Sequence, residues 1–268
     1  QEGFINRIKV GLVNDALKIR KIFNLPKEFI QKIAQEEFIS CIKSGLVNNA
    51  LKIGKIFNLP EEFIQKIAQE KFISCIKDGY VNDALKVKET FNLPENFINS
   101  SDVQKAAQKG FISCIKIGFV NDALEIKETF NLPEEIINSS ETQEAAQERF
   151  ISHIKNRHID DALEIKEIFN LEEFINSSEA QEVAQKEFIS CIKIGFVNDA
   201  LKIKETFNLS ENFINSSEAQ EAAREGFISC IGSGYIDIAL KVREALNLPE
   251  EIINSSEAQE AAREGFIS

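Results

Sequence analysis

The 268-residue chain is poor in the residues that usually carry chemistry. It has two histidines, and no Gly-rich phosphate loop, Ser/His/Asp set or carboxylate pair stands out from the background. Without such a constellation no reaction, no cofactor and no small-molecule substrate is expected. The five cysteines include no Cys-x-x-Cys pair, the spacing typical of zinc and redox sites. Unpaired thiols point instead to a cytoplasmic or other reducing compartment. No apolar run approaches the ~18–20 residues of a membrane span, so no membrane partner is expected. No signal peptide is visible. Positive charge is short too. There are 31 Lys and Arg against 43 Asp and Glu, a net charge of −12, which argues against tight contact with phosphates or an anionic membrane.

What is present is repetition. A Phe-Ile-Ser-like triplet opens the same segment at Phe4, Phe38, Phe72, Phe111, Phe150, Phe188 and Phe227, and an eighth copy begins at Phe266. The copies are 4–37, 38–71, 72–110, 111–149, 150–187, 188–226 and 227–265, with partial copies at both ends. A fixed period in this range marks a repeat array, so 1–268 reads as one continuous array with no separate catalytic domain. The chain opens and closes in mid-repeat, and a longer parent array is expected. The segment after each Phe is mildly basic, and the remainder carries the acidic excess.

One copy shows the design. Ser217-Glu218-Ala219-Gln220 reads as a capping box at a helix start. Ala219, Ala222, Ala223, Gly226, Phe227, Cys230 and Ile231 follow as one buried helical stripe. The helix stops near Gly234, which takes a left-handed turn without steric cost. A second helix carries Ile236, Ala239, Leu240, Val242 and Leu246 on its apolar side, and Asn247-Leu248-Pro249 ends it. Pro249-Glu250-Glu251 begins a short third helix. In the early copies the stretch from Pro60 to about Lys77 runs as a single helix, which predicts two helices per short copy and three per long one. No unit can bury its own stripe, so neighbours must stack. The expected fold is all-α: a right-handed α-solenoid of stacked two- to three-helix repeats.

The segment Cys41-Ile42-Lys43-Ser44-Gly45-Leu46-Val47-Asn48-Asn49-Ala50-Leu51-Lys52-Ile53 resembles the helix–turn–helix core of a pentatricopeptide repeat. It shares that family's Lys-x-Gly turn, two polar residues and Ala-Leu-x-hydrophobic run. The tetratricopeptide family is a looser match. The resemblance implies single-stranded RNA read one base per repeat by two variable side chains. Aligned on the turn, one reading column is Glu36, Glu70, Lys109, Glu148, Lys186 and Glu225. The other is Gln31, Gln65, Gln104, Gln143, Gln181 and Gln220. The first alternates only between Glu and Lys, and the second never varies. A column that never varies cannot read different bases, so the RNA code is not carried over.

Other columns are candidates for recognition. The position before the turn glycine varies most: Val10, Ser44, Asp78, Ile117, Asn156, Ile194 and Ser233. It reads either as a specificity column or as an unconstrained turn. Two places on lie Leu12, Leu46, Tyr80, Phe119, His158, Phe196 and Tyr235, which read either as specificity positions or as interchangeable packing residues. A lysine ladder at Lys9, Lys43, Lys77, Lys116, Lys155 and Lys193 could form a basic track or complement helix dipoles. A second basic column holds Arg20, Lys88, Lys127, Lys166, Lys204 and Arg243. Glu148, Glu182 and Glu225 form a candidate acidic face. Cys41, Cys75, Cys114, Cys191 and Cys230 share one slot, read as small buried side chains, with His153 taking that slot in the fifth copy. That copy also replaces the turn glycine with Arg157 and adds His158 near Asp160 and Asp161; a metal site needs three or four convergent ligands, so no metal is expected and drift or a local bend explains the copy most simply. Asn99, Asn138, Asn176, Asn215 and Asn254 open Asn-Ser-Ser triplets, read as helix end plus cap. The sequence thus points to a non-enzymatic modular scaffold for a protein or peptide, a basic or amphipathic one suiting the acidic face. The alternative is binding of single-stranded RNA or DNA along the lysine-lined edge.

Overall fold

The computed structural model describes residues 2–9 and 12–265, and all regular structure among them is helical. Long helices pair as hairpins: α1 (Glu2–Lys9) with α2 (Val13–Phe23), α3 (Lys27–Lys43) with α4 (Val47–Ile56), and α5 (Glu61–Lys77) with α6 (Val81–Phe91). The short α7 (Glu95–Ile98) then precedes the hairpin of α8 (Ser101–Ile117) and α9 (Val120–Thr129). Next come α10 (Ser140–Lys155) with α11 (Ile159–Ile168), and α12 (Ser178–Lys193) with α13 (Val197–Thr206). The short α14 (Glu211–Ile214), the hairpin of α15 (Ser217–Gly232) and α16 (Ile236–Ala245), and α17 (Ser256–Gly265) complete the order. Three 3-10 turns, Glu134–Ile136, Phe174–Asn176 and Glu250–Asn254, stand where other long copies place a short third helix. The chain divides into two compact units, 1–136 and 137–268, the division falling inside the fourth copy.

Each element starts and stops for local reasons. Pro60 caps α5, which runs unbroken to Lys77 as the missing Asn-Ser-Ser insert predicts. In the long copies the cap is the first serine of that triplet: Ser100, Ser139, Ser177, Ser216 and Ser255 each accept a backbone N–H three residues on. This corrects the expected capping box. Ser216 rather than Ser217 caps α15, and Gln220 is drawn to a different partner. Second helices end on a left-handed Asn, as at Asn92, Asn131 and Asn208 with φ +47 to +48°. Asn adopts this conformation more readily than other side chains.

The stripe on α15 is buried at Ala219, Ala222, Ala223, Phe227 and Cys230, and half-buried at Ile231. On α16 the expectation fails at two positions: Ala239, Val242 and Leu246 are buried, but Ile236 and Leu240 are exposed. The corresponding Val197 on α13 is buried, and α13 packs against the following second helix, α16. Among the described residues no second helix follows α16 to pack on that face.

Within each unit the repeats are joined by phenylalanine. Phe72 is fully buried, with its ring 5.8 Å from Phe97 and 6.1 Å from Phe130. In the second unit Phe150 lies 5.6 Å from Phe207 and 6.2 Å from Phe174. Burying one such side chain contributes about 1.5–3 kcal/mol. Glycine sets the closest helix approaches. A Cβ on Gly110 of α8 would overlap the Ile76 carbonyl oxygen of α5, and one on Gly226 of α15 the Ile192 carbonyl oxygen of α12.

Candidate functional site

The hairpin turn builds the site. At the end of α3 the Gly45 N–H donates to the Ile42 carbonyl at 3.2 Å and the Leu46 N–H to the Cys41 carbonyl at 2.8 Å. This crossed pair is a Schellman turn, with Gly45 left-handed at φ +74°, and it favours an apolar residue at the position of Leu46. The same pattern recurs at Gly79 and Tyr80, Gly118 and Phe119, Gly195 and Phe196, and Gly234 and Tyr235.

Second helices end on the same motif, with Asn in place of Gly and Leu in the apolar position. There the two ends diverge. Leu93, Leu132 and Leu209 are at most 5% exposed, whereas Tyr80, Phe119 and Phe196 are 63%, 58% and 49% exposed. The turn motif therefore explains why the residue is apolar but not why it is left in water. Leu12, Leu46 and Tyr235 are exposed as well, and so is His158. The first unit presents Leu12, Leu46, Tyr80 and Phe119, and the second presents His158, Phe196 and Tyr235. The side chains of this column thus stand at the surface rather than in the core.

The neighbouring variable column is also at the surface. Ser44, Asp78, Ile117, Asn156, Ile194 and Ser233 are all exposed, Ile117 and Ile194 adding apolar area beside Phe119 and Phe196. Val10 and the Lys9 side chain lie outside the described residues. A groove of about 320 Å³ opens at this edge, lined by Phe196, Asn198 and Asp199 of one repeat and Ile238 and Lys241 of the next.

Charges of both signs surround the turns. Lys43, Lys77, Lys116, Lys155 and Lys193 are exposed, but Lys193 Nζ pairs with Glu225 of the next repeat at 3.0 Å. The hydrogen bond and charge of Glu225 raise the lysine's pKa. Glu225 belongs to the expected acidic face, so here the two candidate surfaces meet and neutralise each other. Glu182 is paired with Lys186 in the same helix at 2.5 Å, and Glu148 is exposed. The second basic column is taken up internally: Lys88, Lys127 and Lys204 reach Glu95, Glu134 and Glu211 seven residues on, at 3.1, 2.6 and 2.9 Å. Lys166 pairs with Glu172, six residues on, at 2.9 Å. Asp83, Asp122 and Asp160 are exposed in the first turn of the second helices.

The unvarying glutamines hold the hairpins shut. Gln31, Gln65, Gln104, Gln143, Gln181 and Gln220 each donate from Nε2 to a backbone carbonyl 26 residues on, at the end of the paired helix, at 2.8–3.0 Å. Gln143, Gln181 and Gln220 donate also to the carbonyls of Ile137, Ile175 and Ile214 in the turn before their own helix. This role was not read from the sequence, although invariance in an otherwise drifting array was its signal.

All five cysteines are buried and unpaired. Burial pushes the thiols of Cys114 and Cys191 up to about 11, and the same desolvation, aided by Glu37, does so for Cys41. Thiols held protonated in this way are poor nucleophiles. Cys114 and Cys230 lie directly beneath Gly79 and Gly195, where an added Cβ would stand 2.6 and 2.9 Å from the sulfur.

The fifth copy keeps the backbone and changes the surface. Arg157 adopts the left-handed conformation of the missing glycine at φ +60°. Its guanidinium lies over the Phe196 ring at 5.3 Å, a cation–π arrangement that links two turns. Lys202 reaches back to Asp160 at 2.6 Å. His153 is buried in the cysteine slot, where desolvation, with Arg149 alongside, lowers its pKa against the pull of Asp161. No bend is needed: α10 and α11 form the same hairpin as the other copies. No family model matches the chain, and no curated protein or solved structure does either. No helix among the described residues is long and apolar enough to cross a membrane.

Proposed function

We propose that the chain is a non-enzymatic scaffold that binds a protein or peptide through the turn edge of its repeats. The repeats are read as stacking into a right-handed α-solenoid related to the pentatricopeptide and tetratricopeptide arrays. The observation that carries the proposal is the exposed apolar or aromatic residue at the first-helix turn, held there by a Schellman motif in copy after copy. Its twin at the other helix end is buried. Aromatic side chains presented on rigid turns are the usual anchors of protein interfaces. Lys, Asp and Glu interleave with them, which suits an amphipathic partner with basic residues flanking its apolar ones.

The nucleic-acid alternative requires a basic track unbroken by carboxylates. The Lys193–Glu225 pair, the exposed aspartates and the net charge of −12 weigh against it. Fluorescence anisotropy with random single-stranded RNA, single-stranded DNA and duplex DNA separates the two. No saturable binding is expected at low salt. Saturable binding that falls steeply with salt, and disappears when Lys77, Lys116 and Lys193 are changed to Glu, would replace the protein reading with the nucleic-acid one.

A further inference from the structure

The two histidines of the chain occupy two different columns of one copy, and the fold brings them together. His153 takes the buried cysteine slot near the end of α10, and His158 takes the aromatic slot at the turn. Asp161, in the first turn of α11, stands between them. Its Oδ2 is 3.7 Å from His153 Nδ1 and 3.6 Å from His158 Nδ1, and the three donor atoms all lie within 4.8 Å of one another. The imidazole rings are 5.8 Å apart, inclined at 35°. A tetrahedral metal with ligand bonds of about 2.1 Å holds its donors about 3.4 Å apart. The two His–Asp separations are already close to that value.

We propose that His153, His158 and Asp161 form a binding site for one divalent transition-metal ion of the zinc class, with a fourth position open to water. Two imidazoles and one carboxylate suit zinc, nickel or copper and not the oxygen-seeking calcium or magnesium. The site is confined to the fifth copy. Elsewhere the His153 column carries Cys or, in the first copy, Arg7, and the His158 column carries Leu, Tyr or Phe, so the copies that share the aspartate lack the imidazoles. One neighbour competes with the ion. Arg149 Nε donates to His153 Nε2 at 3.0 Å, which places the proton of the neutral ring on Nδ1. Ligation through Nδ1 moves that proton to Nε2, so Arg149 must swing aside. Asp160 is held off by Lys202 at 2.6 Å and is not a ligand.

The test is titration of the full chain with cobalt(II), followed by absorption, and with zinc(II), followed by calorimetry. One equivalent should bind, with cobalt d–d bands and no thiolate charge-transfer band. His158→Phe and Asp161→Asn install residues that other copies carry at these positions, so both variants should keep wild-type helicity. Each should weaken binding at least about tenfold, the scale of losing a ligand or its support. Arg149→Ala should tighten binding, an effect that a merely structural arginine would not produce. Failure to saturate at one equivalent, a thiolate charge-transfer band, or affinity unchanged in His158→Phe would overturn the proposal. None of these results bears on partner binding at the other turns.

Discussion

At the scale of single residues, small side chains are placed by what lies above them. Cys114 sits under Gly79, and the glycine is needed both for its φ of +86° and for the space the sulfur fills. The five thiols are therefore packing groups, and their burial has a consequence in pH. The folded protein holds the thiols of Cys41, Cys114 and Cys191 protonated up to about 11, against an ordinary 9.0. Across that interval the unfolded chain binds fewer protons than the folded one. Stability is thus fully present below pH 9 and is lost as pH rises to about 11. Urea unfolding followed across this range should show the loss, and replacing Cys114 and Cys191 with Ala should flatten it. An unchanged slope in the double variant would mean the thiols are not the cause. The cysteine slot was legible in the sequence, because period and residue size locate a buried stripe. The glutamine contacts were not, because each joins residues 26 apart, and local pattern carries no sign of the partner.

Helices were the most legible level. Gly, Asn and Pro punctuate the sequence, and each acts through its own backbone, so two long helices per copy and a short third in the long ones follow from local rules. The capping serine was misplaced by one residue for the same reason. Two adjacent serines satisfy the rule equally, and only the geometry of the preceding turn chooses Ser100 over Ser101 or Ser216 over Ser217. How closely helices approach was not legible at all. The position before each repeat Phe is Gly at 3, 110, 226 and 265 but Glu, Lys or Arg at 37, 71, 149 and 187. At 110 and 226 the backbone of the preceding repeat fills the place of a side chain. Gly110→Ala must then push α8 away from α5. Overpacking should cost about 1–3 kcal/mol, against the roughly 0.8–1 kcal/mol that a helical Gly→Ala change gains through propensity, so a net loss is expected. Equilibrium unfolding checks this, and a stabilised Gly110→Ala would contradict the close approach.

At the scale of the molecule, exposure rather than composition points to function. A sequence pattern marks Tyr80, Phe119 and Phe196 as apolar, yet whether such residues are covered depends on the neighbouring repeat. Leu93 is buried and Tyr80 is not, although both occupy the same position of the same turn motif. The charged columns were legible as ladders but not as pairs. The Lys193–Glu225 contact crosses from one repeat to the next, and Lys88 and Lys127 are taken up by acids in the segment that follows their helix. What remains free at the turns is apolar surface edged by charge.

The most direct measurement of that claim is selection of random displayed peptides on the full chain, with each enriched peptide titrated against wild type and a ladder variant. The variant carries Tyr80→Ser, Phe119→Ser, Phe196→Ser and Tyr235→Ser. The chain has no Trp, so a Trp in the peptide reports binding without interference, and the two tyrosines, Tyr80 and Tyr235, both lie on the ladder. Enriched peptides should be basic and amphipathic, should bind wild type saturably, and should lose at least about tenfold in affinity, or ~1.4 kcal/mol, on the variant. Peptides that bind both proteins equally, or a selection that enriches none, would contradict the account.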